Sequence, residues 1–125
     1  MSNLKLPTLT YLNLNRLLGR KHGITLAYAT TAERHGDSIV VRHHGSPIVS
    51  LTDGFVALSK AGYNSSTTSR RLHKALKDNN IDESIGIRQG ITSVVLGNKS
   101  KPMPRDRWVV WAHGELQTNT LNEPA

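Results

Sequence analysis

Two hydrophobic periods divide the chain between them. Near the start, Leu14, Leu17 and Leu18 recur at helical spacing, as do Leu9 and Leu12. Thr8 or Thr10 is placed to cap that run and Gly19 to stop it, so a helix is predicted within 9–18, although Leu12 and Leu14 also fit strand alternation. Arg20-Lys21-His22-Gly23 reads as a basic turn. Period two then takes over: 24–29 alternates, and 38–44 is a β-branched run broken by Gly45-Ser46-Pro47 and resumed at 48–51. Arg34-His35-Gly36-Asp37 reads as a turn between strands. Asp53-Gly54 signals a hairpin, because both residues tolerate the positive φ of a tight turn, and 55–58 is the returning strand.

The helical period returns with Leu72, Ala75 and Leu76, which predicts a helix over 66–79 ending at Asn79-Asn80. Two short strands, 84–88 and 91–96, follow with Gln89-Gly90 at their bend. The stretch 98–105 reads as a loop, since Pro102 and Pro104 remove ladder donors. A strand over 107–113 closes the pattern, and the polar tail 117–125 is expected to fray. The fold class expected is α+β in a single compact domain, 1–125: a mainly antiparallel β-sheet, one principal helix packed on it, and an N-terminal helix.

Composition narrows the function classes. At 125 residues the chain can bury one core without staples. It has no cysteine, which excludes disulfides, thiolate metal sites and cysteine nucleophiles. No apolar run reaches the length of a membrane span, and Met1 to Pro7 lacks the apolar stretch of a secretory signal, so a cytoplasmic location and no membrane partner are expected. The net charge of +7 favours polyanionic partners.

The candidate chemistry concentrates at the second helix. Ser65, Ser66, Thr67, Thr68 and Ser69 are five consecutive hydroxyl residues where one would cap a helix, and Arg70 and Arg71 follow where acidic residues usually sit. Free backbone donors, hydroxyls and guanidinium forks suit a phosphate group at Ser66, Thr67, Thr68, Ser69, Arg70 and Arg71; the plainer reading is a redundantly capped helix. Arg70, Lys74 and Lys77 share a helix face with Asp78 as the sole nearby acid, an arrangement that suits a nucleic-acid backbone or simply complements the helix dipole. Lys99, Lys101, Arg105 and Arg107 add a second basic segment. Trp108 and Trp111, three apart in a strand, face opposite sides, and an exposed one could stack on a base; the plainer reading is that both rings pack or seal a sheet edge.

The histidines carry less. His43 and His44 are adjacent on a strand and should point to opposite faces, and nothing in the spacing brings His35, His73, His113 and Asp37 together. No nucleophile elbow, metalloprotease helix or phosphate loop occurs, so no catalytic residue, metal ligand or cofactor is assigned. Histidine-based chemistry on phosphate stays chemically open but has no legible set of residues behind it.

Certain motifs also carry a resemblance. His44-Gly45-Ser46-Pro47-Ile48-Val49, the Asp53-Gly54 turn, the run from Gly62-Tyr63 to Leu72, and Trp108-Val109-Val110 together resemble a family of small proteins encoded by bacteriophages and prophages. The match covers about half the chain, centred on 39–76; the leucine-rich start and the basic loop before Trp108 depart from it. The resemblance implies a compact β-rich fold with one helix, and an infected bacterial host as the setting. The function expected is a non-enzymatic phage accessory protein binding nucleic acid through a positive surface. The alternatives are a counter-defence protein sequestering small phosphorylated ligands such as nucleotides, and an inhibitor of an acidic host protein. Self-association is compatible with all three.

Overall fold

The computed structural model describes residues 6–121. The first half of the chain is a meander. Strands β1 (Gly23–Ala27), β2 (Thr30–His35), β3 (Ser38–His43), β4 (Ser46–Thr52) and β5 (Phe55–Leu58) pair antiparallel, each with the next. Strands β9 (Val109–Ala112) and β10 (Glu115–Leu116) extend this sheet to seven strands, with β9 laid against β5. Between β5 and β9 the chain builds helix α2 (Ser66–Asp78) and a separate three-stranded antiparallel sheet of β6 (Ser84–Arg88), β7 (Ile91–Leu96) and β8 (Lys99–Pro102). Helix α1 (Tyr11–Leu18) precedes the meander and α3 (Thr118–Leu121) follows it. The class is α+β, mainly antiparallel, as the sequence pattern predicts. No helix among the described residues is long and apolar enough to cross a membrane.

Helix α1 is bounded as expected. The Thr10 side chain accepts from the Asn13 amide, and Gly19 ends the helix at positive φ. Leu14 and Leu18 are buried on one face, while Leu12 is 79% exposed; Leu9 is buried from the segment before the helix. Leu72, Ala75 and Leu76 of α2 are fully buried, as expected for its apolar stripe. The ends of the two helical segments are stitched together. The Leu9 amide donates to Asp78 Oδ2 at 2.8 Å, and Asn79 Nδ2 donates to the Leu9 carbonyl at 2.8 Å. At the Asp53-Gly54 turn only glycine fits: its φ is +92°, and a Cβ there would meet the His113 ring at 2.7 Å.

Four local expectations are corrected. The turn at 34–37 is confined to Gly36-Asp37, because 30–35 is strand β2; its inward residues are Thr30 and Ala32, too small and polar to register as a hydrophobic run. Strand β4 begins at Ser46 and takes in Pro47, beside an irregularity in which Ile48 is the extra residue of β4 between the Val41–Val49 and Arg42–Pro47 pairs. The predicted loop at 98–105 contains β8, which pairs with β7 on one side only and has all four residues exposed. An edge tolerates Pro102 and the lysines that a central strand would reject. The tail does not fray from 117. Residues 118–121 form α3, Leu121 is buried, and Thr120 Oγ1 accepts from the Val110 amide at 2.9 Å. The expectation for 122–125, like that for the first five residues, lies outside the described residues.

Candidate phosphate-binding site

The start of α2 uses part of its hydroxyl run internally. Ser65 is the N-cap: its Oγ accepts from the Thr68 amide at 3.2 Å and donates to Thr68 Oγ1 at 3.1 Å. Ser69 is buried, with its Oγ 2.9 Å from Thr92 Oγ1 on β7, so it pins the helix to the second sheet. Ser66 and Thr67 are left exposed, and the first turn contains no acidic residue to answer the helix dipole.

Arg71 turns inward. It is only 8% exposed; Nε donates to Thr30 Oγ1 at 3.1 Å and an Nη donates to the Thr67 carbonyl at 3.3 Å. None of the ion pairs among the described residues involves it. Burial alone lowers its pKa, with no carboxylate acting the other way.

Beside it stands His43, 7% exposed, with Nδ1 3.2 Å from the same Thr30 oxygen. The Thr30 hydroxyl hydrogen goes to the Tyr28 carbonyl at 3.0 Å, so the imidazole supplies the hydrogen of its contact with Thr30. Burial, then the positive charge of Arg71, then His44 hold His43 below its ordinary pKa, which keeps the ring neutral.

The expectation that His43 and His44 point apart is corrected. His44 leaves the strand with φ of +51°, which ends the alternation, and the two rings lie 4.4 Å apart. Tyr28, 84% exposed, meets His44 edge-on at 6.0 Å. The two histidines, Tyr63 and the α2 start form a hollow of about 350 Å³, lined by His43, His44, Tyr63, Ser65, Thr67 and Thr68. Arg71 stands behind its wall at Thr67 and His43. The neighbouring loop is tied in by the Gly62 amide, which donates to the Arg105 carbonyl at 2.6 Å. Trp108 lies over a smaller depression shared with Ser46, Pro47, Ser59, Ala61 and Asp106. Trp111, by contrast, is fully buried and donates through Nε1 to Glu83 Oε1 at 3.0 Å, whereas Trp108 is 36% exposed and precedes β9, so strand alternation does not set its orientation.

A family model described as Kyanoviridae Gp96 protein matches residues 15–120. The chain belongs to the Kyanoviridae Gp96 protein family, a phage family. No curated protein and no solved structure matches it. The matched span of this Gp96-family chain takes in every residue lining the hollow, together with Arg71 and Trp108.

In this Gp96-family chain the basic residues singled out in the sequence do not share one surface. Thr67 and Thr68 line the hollow and Arg71 backs it, while Ser66, Ser69, Arg70 and Lys74 line a separate groove against β6. Lys74 pairs with Asp78 at 2.7 Å, and Lys77 Nζ reaches the carbonyls of Ile81 and Asp82 at the far end of α2. Lys99 and Lys101 lie on β8, and Arg105 and Arg107 on the loop before β9. Residue-by-residue reading missed His43, His44, Tyr28 and Tyr63. The one available signal was Gly45 directly after the histidine pair, which marks the turn that brings both rings to one side.

Proposed function

We propose that this phage protein binds nucleic acid, holding a phosphate group in the hollow at the α2 start and stacking bases on the aromatic side chains around it. The observation that carries the reading is Arg71, a nearly buried guanidinium with no carboxylate partner among the described residues. Burying a charge without a counter-charge is costly, and an anion bound from outside the chain would offset that cost. The α2 dipole adds in the same direction, since its first turn holds no acid. Tyr28, Tyr63 and Trp108 offer partly exposed ring faces at this end of the molecule, and stacking on such faces accepts any base. The excess of lysine and arginine supports the approach of a polyanion.

The size of the hollow supports a second reading, a bound mononucleotide, because about 350 Å³ lies within the range of small-ligand sites. One titration separates the two. Fluorescence anisotropy would be followed with a labelled single-stranded oligonucleotide and with a labelled mononucleotide, for the parent and for Arg71→Lys and Tyr63→Ala. Nucleic-acid binding is expected to appear with the oligonucleotide and to weaken in both variants. Affinity for the mononucleotide alone would favour the second reading. Equal affinity of parent and variants for the oligonucleotide would reduce the hollow to a helix cap.

A further inference from the structure

The four sheet edges of this fold are not equally defended. Strand β1 carries a register irregularity between Thr25 and Ala27, and β10 has only two residues and is followed at once by α3. Strand β8 displays Lys99, Lys101 and Pro102, residues that discourage strand pairing. Strand β6, the outer strand of the small sheet, has the sequence Ser84-Ile85-Gly86-Ile87-Arg88, with no lysine or proline in it, and is covered by α2 over part of its length only.

Its open edge is also shaped. Between α2 and β6 runs a groove of about 500 Å³ whose walls include Arg70, His73, Ile85, Gly86 and Ile87. The Ile85 amide donates to His73 Nδ1 at 3.2 Å, which shows that Ile85 points its backbone away from β7. In an antiparallel ladder residues two apart share that orientation, so the Ile87 backbone also faces the groove. Helix α2 therefore occupies the first part of the edge; in the second part the Ile87 amide faces outward, while the Ile87 carbonyl accepts from Arg88 Nη1 at 3.3 Å. The Ile87 side chain is 36% exposed beside it.

Charge identifies the occupant. Arg70 is exposed and belongs to none of the ion pairs among the described residues, Arg88 lies at the end of the strand, and no carboxylate lines the groove, although Lys74 on the same wall is paired with Asp78. A second copy of this chain would bring the same cations to the edge and be repelled. We infer that the β6 edge accepts an extended acidic segment of a partner protein, which adds a fourth strand to the small sheet. Its backbone would accept from the Ile87 amide, its alternate apolar side chains would rest against Ile85 and Ile87, and its carboxylates would meet Arg70 and draw Arg88 off the Ile87 carbonyl.

The probe is a fluorescein-labelled octapeptide of alternating aspartate and valine, compared with an alternating lysine–valine octapeptide and with the acidic peptide N-methylated on alternate amides. Binding of the unmodified acidic peptide alone is expected. Ile87→Pro removes the outward donor without touching the β6–β7 ladder and should weaken that binding by about tenfold or more. Arg70→Glu, a surface change, should weaken it by a comparable factor while leaving thermal unfolding unchanged, which keeps the test valid even if Ile87→Pro folds poorly. No binding of the acidic peptide, equal binding of the lysine peptide, or equal binding of the N-methylated peptide would overturn the inference. A concentration-dependent dimer abolished by Ile87→Pro would also overturn it, in favour of pairing between two copies.

Discussion

Arg71, Thr30 and His43 form a chain of polar groups sunk between α2 and the large sheet, and its members limit one another. One Thr30 hydroxyl serves Tyr28, Arg71 and His43 at once. Replacing Arg71 by methionine removes a buried charge that has no internal partner, and exchanging buried charges for apolar groups of similar volume is often neutral or stabilising. Arg71→Met is therefore expected to hold or raise the urea midpoint while oligonucleotide binding falls; a large loss of stability would show that the arginine serves the fold. The histidines give a pH dependence whose sign follows from their burial. Burial, then the charge of Lys77, hold His73 below its ordinary pKa, and its Nδ1 is engaged as an acceptor. His43 is shifted the same way. Below about pH 6.5 the unfolded chain takes up protons that the native state resists, so the stability these rings contribute is full above that pH and falls on acidification. Urea midpoints between pH 7.5 and pH 5, for the parent and for a His43→Asn, His73→Gln variant, should diverge: the parent declines and the double variant declines less.

At the level of elements, α2 was the most legible part of the chain, since its apolar stripe, cap and stop all lie in local spacing. Leu72→Ala should cost about 2–5 kcal/mol, as for other fully buried leucines. Lys74→Ala removes a partly buried i,i+4 pair with Asp78 and should cost about 1 kcal/mol or less. Equal unfolding midpoints for the two variants would mean that the helix is rotated from the orientation described. The strands that escaped notice, β2 and β8, share a cause. Each has a side that need not be hydrophobic: β2 buries a threonine and an alanine, and β8 buries nothing. What makes them strands is the partner beside them, which lies outside any local window. The site was legible only on its α2 half for the same reason. The run of hydroxyls and arginines is contiguous, whereas His43, Tyr28 and Thr30 reach it through strand pairing. Within that run the sequence could not say which arginine turns inward, so Arg70 and Arg71 read alike although one faces solvent and the other is buried.

For the whole molecule, the distribution of charge matters more than its sum. The basic side chains are spread over α1, the large sheet, α2, the β8 edge and the loop before β9, so a bound oligonucleotide should engage only some of them. Each phosphate contact adds about −0.7 to the log–log salt slope on single strands, and a slope far short of what the full set of cations would give is expected. Anisotropy titrations over a range of salt concentrations measure it; a slope as steep as the full set would give would point to a continuous electrostatic surface instead.

The pairing of Leu58 with Val109 has a consequence for how the chain reaches this structure. The first five strands close only short turns, whereas β9 can dock on β5 only after α2 and the small sheet have been traversed, and the entropy of closing so long a loop must be met first. Docking of β9 should therefore come late, after the rate-limiting barrier. Trp111, fully buried on that strand, should report it through its fluorescence. Val109→Ala should then accelerate unfolding and leave the refolding rate nearly unchanged, while Val49→Ala, in the meander, should slow refolding. Stopped-flow traces of the two variants would reverse this order if the large sheet instead assembled from the β5–β9 seam.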